Sequence, residues 1–114
     1  MDKQGSEHVV TPRVNASLLG VYTNQKVNFV GKVSQQSPGV IVFDSSDGTQ
    51  VNIRYHNPSE LEVGCIYEMI GVVSPDCSIE GEKAVPYSSN FDLEVYNKFI
   101  ELAHRKYSHL FYGK

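Results

Sequence analysis

From residue 26 onward the apolar positions of this 114-residue chain repeat with a period of two, the signature of half-buried strands. Lys26–Val33 places Val27, Phe29 and Val33 on one face. Val40–Phe43 is a short apolar strand, and Gln50–Tyr55 alternates cleanly, with Val51, Ile53 and Tyr55 together. Between these two, Asp44-Ser45-Ser46-Asp47-Gly48 supplies a hairpin turn in which Gly48 can take a positive φ. His56–Glu60 breaks the pattern, Leu61 and Val63-Gly64 lead on, and Cys65–Val73 is the fourth strand, ended by Ser74-Pro75-Asp76. Ile79 and Ala84–Tyr87 mark a weaker fifth, with Pro86 favouring a bulge or an edge. Upstream, Asn15 is placed to cap a single helical turn that Gly20 closes. Residues 1–12, polar and ending in Thr11-Pro12, read as a mobile arm.

Five short strands with no helical pattern between them predict a small all-β barrel or sandwich. Gly31 and Gly71 favour the barrel. Glycine weakens a strand interior unless the strand must bend sharply, as it must to close a barrel of five strands. The predicted fold is an all-β five-stranded OB-fold barrel with a C-terminal α-helix, the barrel over residues 13–91 and the helix over 92–112.

In the helical segment Asp92 is the predicted N-cap. At about 100° per residue, Leu93, Tyr96, Phe99, Ile100, Ala103, Tyr107, Leu110 and Phe111 form one stripe roughly 120° wide. Val95 and Leu102 lie together on its flank. Glu94, Asn97, Glu101, Arg105 and Ser108 occupy the opposite face, with Glu101 and Arg105 spaced for an i,i+4 pair. Stripe and flank together are wider than one barrel end can cover. Either the flank residues are simply exposed, as single apolar residues on surfaces often are, or, as the width favours, part of this surface buries against another chain, as in helix-bundle association.

Composition narrows the function. Asp and Glu number 13 against 10 Lys and Arg, giving a net charge of −3, and 40% of residues are hydrophobic, so disorder is excluded. No apolar run reaches the ~18 residues that a membrane span needs. MDKQGSEHVV carries no signal-peptide core, so secretion is not expected. Cys65 and Cys77 are far apart and unaccompanied by suitably spaced histidines, so neither a zinc site nor a disulfide is predicted. The acidity is uneven. Residues 1–92 hold 6 basic and 11 acidic side chains, a net −5, whereas residues 93–114 hold 4 basic and 2 acidic, a net +2.

Three segments, in order, carry a family resemblance. They are Pro12-Arg13-Val14-Asn15-Ala16-Ser17-Leu18-Leu19, Val27-Asn28-Phe29-Val30-Gly31-Lys32-Val33, and Asn90-Phe91-Asp92-Leu93-Glu94-Val95-Tyr96-Asn97. Together the sequence resembles the small subunit of replication protein A, the replication factor A protein 3 family. The resemblance implies a mainly structural subunit without a cofactor. It implies assembly with a large and a middle subunit through a bundle of C-terminal helices, and a nuclear complex that binds and protects single-stranded DNA in replication, repair and recombination. The interface candidates are Val95, Tyr96, Phe99, Ile100, Leu102, Ala103, Tyr107 and Leu110. The stripe alone does not apportion them between barrel and partners.

OB folds bind single strands on their second and third strands, with stacking aromatics and a positive groove. Phe43 and Tyr55 read as core. Lys32 and Arg54 lie opposite the core positions and are candidates for weak phosphate contact. From Tyr55 to Glu82 there is no Lys or Arg but six acids, so any nucleic-acid path keeps to the side of Lys26, Lys32 and Arg54. The isolated chain is expected to bind single-stranded DNA weakly at most. Asp44 and Asp47 read as turn formers rather than ligands for phosphoryl chemistry, and no catalytic or metal-binding motif occurs, so the chain is not predicted to be an enzyme. The same plan also fits the small OB subunit of a telomere-capping complex, or an OB-type protein-interaction module.

Overall fold

A computed structural model describes residues 11–111 of the backbone and the side chains as far as Arg105. The strands are β1 (Arg13–Val14), β2 (Lys26–Ser37), β3 (Val40–Ser45), β4 (Gln50–Tyr55), β5 (Ile66–Val73) and β6 (Ile79–Pro86), followed by the helix α1 (Leu93–Phe111). The sheet order β1-β2-β3-β4-β6-β5 closes on itself through β2–β5 pairing, so β2 to β6 form a closed five-stranded barrel. Closure leaves no long unpaired strand edge to template aggregation. It is the OB-fold barrel with a C-terminal helix that the alternation predicts.

The two strand glycines mark where backbones come closest. A Cβ on Gly31 would sit 2.7 Å from the Asp44 carbonyl oxygen, and one on Gly71 would collide outright with that of Glu80. No side chain fits at either position. Beside Gly71 the β5–β6 register shifts, as expected where a small barrel bends.

Alternation places Val27, Phe29, Val33, Ile41, Phe43, Val51, Ile53, Tyr67, Met69 and Ile79 in the barrel interior. Two strands break the alternation. In β2, Val30 is buried as well as Phe29, and in β5 four consecutive residues, Ile66 to Met69, are buried. Strands buried on both faces need a second layer outside the barrel, and α1 provides it. Tyr96 and Ile100 cover Val30 and Ile66, with Leu18, Tyr87, Phe91 and Leu93 around them. Phe91 packs edge-on against Tyr87, ring centres 4.8 Å apart, and lies 5.7 Å from the Tyr96 ring.

Several local expectations change. Residues 1–10 of the predicted arm lie outside the described residues. Pro12 already belongs to the fold, since its carbonyl accepts the Asn28 N–H at 2.8 Å and β1 then pairs in parallel with β2. The helical turn after Asn15 is a 3₁₀ helix that runs through Gly20 to Tyr22, and the Asn15 side chain makes no capping bond. β2 extends four polar residues past Val33, and β6 is one continuous strand from Ile79, with Pro86 at its exposed end. Backbone pairing sustains these extensions where side-chain burial does not. Asp92 does cap α1, its Oδ1 accepting the N–H groups of Glu94 and Val95 at 3.0 and 3.1 Å.

Candidate assembly and nucleic-acid interfaces

Helix α1 divides its apolar residues between two faces. Tyr96 and Ile100 are 9% and 2% exposed, buried against the chain's own barrel, and Leu93 and Ala103 are half-buried. Val95, Phe99 and Leu102 are 60%, 58% and 53% exposed. At about 100° per residue the exposed trio is centred roughly a third of a turn from the buried pair. Of the interface candidates, Tyr96 and Ile100 are thus covered by the chain's own barrel. Val30 and Ile66 of the barrel wall are apolar and take both side chains from within the same chain. Tyr107 and Leu110 lie on α1 beyond the described side chains.

Polar contacts anchor the root of the helix on both sides. On one side, Asn15, fully buried, donates through Nδ2 to Asn97 Oδ1 at 2.8 Å, and Ser46 Oγ donates to the same oxygen at 3.0 Å. Ser17 Oγ donates to Asn15 Oδ1 at 2.8 Å. The Ala16 and Ser17 N–H groups donate to Ser45 Oγ and Asp47 Oδ2, each at 2.9 Å. Glu101, spaced to meet Arg105, instead accepts from Asn97 Nδ2 at 3.1 Å. On the other side lies Glu68, 8% exposed, with the Arg13 guanidinium 3.8 Å away and the Tyr87 hydroxyl donating at 3.3 Å. The buried Tyr96 hydroxyl has no hydrogen-bond partner among the described residues. Burial first, and then the Glu68 charge, hold its pKa well above the ordinary tyrosine value.

The barrel wall differs from a stacking platform. All aromatic residues of β2, β3 and β4, namely Phe29, Phe43 and Tyr55, are buried in the interior. Tyr55 donates its hydroxyl to Glu60 at 2.9 Å. The cations are largely engaged. Arg54 Nε bonds Glu80, and its Nη2 donates to Ser78 Oγ at 3.0 Å, so Arg54 braces the β5–β6 loop. Lys26 pairs with Glu82 at 2.9 Å. Lys32 is exposed on β2. The sequence placed Lys32 and Arg54 as outward-facing candidates but did not show Glu80 and Glu82 as partners of Arg54 and Lys26. The signal was the alternation of Glu80 and Glu82 along β6, readable only once β6 was known to pair with β4 and β5.

The Asp44–Gly48 segment is the turn that its composition predicts. Gly48 has φ +89°, and Ser45 N–H donates to the Thr49 carbonyl at 2.8 Å. Its carboxylates are occupied. Asp47 accepts from Ser17 and Thr49, and Asp44 accepts from Gln50. Among the described residues no cluster of His, Cys, Asp and Glu is placed to hold a metal ion, and both cysteines are free.

The fold and this site define an OB-fold domain whose terminal helix covers one side of the barrel and turns a second apolar face outward. The profile of one family, described as replication factor A protein 3, matches residues 1–111. The chain belongs to that family. Replication factor A protein 3 of Schizosaccharomyces pombe is 31% identical over 102 residues, 90% of this chain and 95% of that protein. One of the replication protein A 14 kDa subunits of Arabidopsis thaliana is 32% identical over 98 residues, 86% of this chain and 91% of that protein. A chain from the solved structure of U. maydis replication protein A bound to single-stranded DNA superposes with a TM-score of 0.77 at 26% identity. It covers 83% of this chain and 90% of that one. The telomere capping protein Ten1 of Schizosaccharomyces pombe superposes with a TM-score of 0.70 over 84% of this chain and 99% of that one, at 11% identity. That likeness is one of fold.

Proposed function

We propose that this chain is the small, mainly structural subunit of a replication protein A heterotrimer, and not an enzyme. It assembles with the large and middle subunits through a bundle of C-terminal helices. The complex binds and protects single-stranded DNA during replication, repair and recombination in the nucleus. The observation that carries this reading is the exposed trio Val95, Phe99 and Leu102 on a helix whose adjacent face is already buried. A surface helix needs only one apolar face for its own domain. Two large aliphatic side chains and a phenyl ring at helical spacing fit a partner helix. Ala103, Tyr107 and Leu110 are kept as further interface residues of this proposal, the last two beyond the described side chains.

This chain's own share in DNA binding is minor. Lys32 and Arg54 offer weak phosphate contacts, and Arg54 reaches a phosphate only by exchanging Glu80 for it. The wall offers no ring for a base to stack on, a contact worth about 1–3 kcal/mol per base elsewhere. The partners supply most of the affinity.

The test is co-expression with the large and middle replication protein A subunits, followed by size-exclusion chromatography. The wild-type chain is expected to co-elute as a stoichiometric heterotrimer. The double variant Phe99→Asp/Leu102→Asp is expected to be left out while its circular dichroism stays that of a folded barrel. Full assembly of that variant would overturn the reading. Recovery of telomere-capping subunits in place of replication subunits, by mass spectrometry of a native pull-down, would redirect it to that complex.

A further inference from the structure

We infer that Asn15 and Asn97 form an orientation lock. With the Asp44–Gly48 turn, they set the direction in which α1 leaves the barrel, and so the angle at which Val95, Phe99 and Leu102 meet a partner. The inference rests on the reading of α1 as an assembly helix.

Apolar packing alone does not fix that direction. Tyr96 and Ile100 occupy neighbouring turns near the helix root, Leu93 and Phe91 lie beside them, and farther along the His104 ring meets Tyr22 edge-on, ring centres 6.4 Å apart. These contacts hold the helix to the barrel but fix its direction less sharply than hydrogen bonds do, because apolar contact is non-directional. Hydrogen bonds are directional, and a buried one that is broken leaves an unsatisfied group at a real cost.

Asn97 is one turn from Ile100 and one position from Tyr96, so its side chain reports the rotation of the root. Its Oδ1 receives two donors from different parts of the barrel, Asn15 Nδ2 at 2.8 Å from the N-terminal segment and Ser46 Oγ at 3.0 Å from the β3–β4 turn. Two donors converging on one oxygen from separate elements define a position, as a single bond would not. Both donors are themselves held. Asn15 is fully buried and accepts from Ser17 Oγ at 2.8 Å. The turn carrying Ser46 is tied to the N-terminal segment by Ala16 N–H on Ser45 Oγ and Ser17 N–H on Asp47 Oδ2, each at 2.9 Å. The segment Arg13–Ser17 thus works as a staple. Val14 anchors it in the core, while Arg13 reaches Glu68 on one side of the helix root and Asn15 reaches Asn97 on the other.

A fully buried asparagine is hard to explain as a stability device, since an apolar residue of similar volume would serve burial better. Buried polar groups with satisfied partners specify one arrangement among several of similar packing. The lever makes small swivels matter. From Asn97 to Phe111 the helix runs a further 14 residues, about 21 Å at 1.5 Å per residue. A swivel at the root becomes a displacement of several ångströms at the end.

The experiment separates the lock from the assembly reading. Nitroxide labels at Ser37 and Lys98, both exposed, are placed on the full chain with Cys65 and Cys77 changed to Ser. Phe99→Ser suppresses self-association. Pulsed electron–electron resonance then reads the barrel-to-helix distance. With Asn97 present, one narrow distribution is expected. Asn97→Leu, which removes the acceptor, is expected to broaden or split it, with circular dichroism unchanged. Asn97→Asp, which keeps the acceptor, is expected to restore it. If Asn97→Leu fails to fold, Ser46→Ala removes one donor and is expected to broaden the distribution less. An unchanged narrow distribution in the folded acceptor or donor variant would overturn the lock. In the heterotrimer, with Phe99 intact, Asn97→Leu is expected to raise the dissociation rate on the order of tenfold. Broadened distances with unchanged dissociation would overturn the presenting role. Normal assembly of Phe99→Asp/Leu102→Asp would instead defeat the reading of the helix and leave the distance result standing.

Discussion

The outer wall of β2–β4 and the outer flank of α1 are both exposed, and they are opposite in kind. On the wall, two of the three cations are balanced within the chain, Arg54 by Glu80 and Lys26 by Glu82, and all three ring side chains point inward. On the helix flank, Val95, Phe99 and Leu102 expose apolar surface that no described residue of the chain covers. Exposed ion pairs of this sort add little stability. Their effect is to cancel the positive field that a phosphate backbone would seek. The chain has left its unsatisfied surface where a protein can use it and quenched it where a nucleic acid would. On the proposed reading, such a contrast suits a subunit that holds a DNA-binding complex together.

The largest test of this contrast is charge on the flank. Burying a Phe or Leu side chain contributes about 1.5–3 kcal/mol, so Phe99→Asp/Leu102→Asp should weaken assembly by about 3–6 kcal/mol, read by chromatography or calorimetry of the co-expressed subunits. The barrel-facing side should respond in folding stability instead. Ile100→Ala is expected to lower the unfolding free energy of the chain by about 2 kcal/mol in urea titrations, because it empties a buried site under the helix. Its effect on assembly should be smaller than that of the flank variant, and the reverse ranking would break the division of faces.

Releasing the wall's cations is the next test. Glu80→Gln/Glu82→Gln frees Arg54 and Lys26, and single-strand binding by the purified chain should rise several-fold at low salt. The logarithmic salt dependence should steepen by up to about 1.4, two phosphate contacts' worth on a single strand. Fluorescence anisotropy across a salt series reads both. Unchanged binding would mean that the wall's charge balance does not limit contact with DNA.

The smallest effect is at the helix root. The Tyr96 hydroxyl is buried with no partner among the described residues, and burial raises its pKa above the ordinary value near 10. Above pH ~10 the unfolded chain releases this proton while the folded chain keeps it, so stability should fall as pH rises through that range. Tyr96→Phe should remove that part of the alkaline loss. Its effect at neutral pH should stay within about 1 kcal/mol, since the orphaned hydroxyl offers no bond to lose. Absorbance titration and urea melts at pH 7 and pH 11 check the two halves.

Much of the fold was legible because period-two burial is local. Val27, Phe29, Val51 and Ile53 announce their faces through neighbours two residues away, and Gly31 and Gly71 announce a bend. The polar end of β2 and the Glu80–Glu82 stretch of β6 were not legible, since their strand character comes from backbone pairing with distant partners. The helix stripe was visible, but its division was not. Tyr96 and Phe99 look alike along the chain, and only the position of Val30 and Ile66 tells them apart. The role of Asn15 is hidden for the same reason. An asparagine ahead of a short helix resembles a cap, while its partner lies at Asn97, 82 residues on.

What the amino-acid order determined by itself was the five strands of the barrel, the barrel closure implied by two glycines, the capped terminal helix and an apolar surface too wide for one domain. These follow from periodicity and backbone sterics, which act over a few residues. Tertiary structure alone decided which cations are quenched, which helix residues the barrel keeps and what holds the helix at its angle. Those depend on pairings between residues remote in the chain, and such pairings exist only once the barrel has closed.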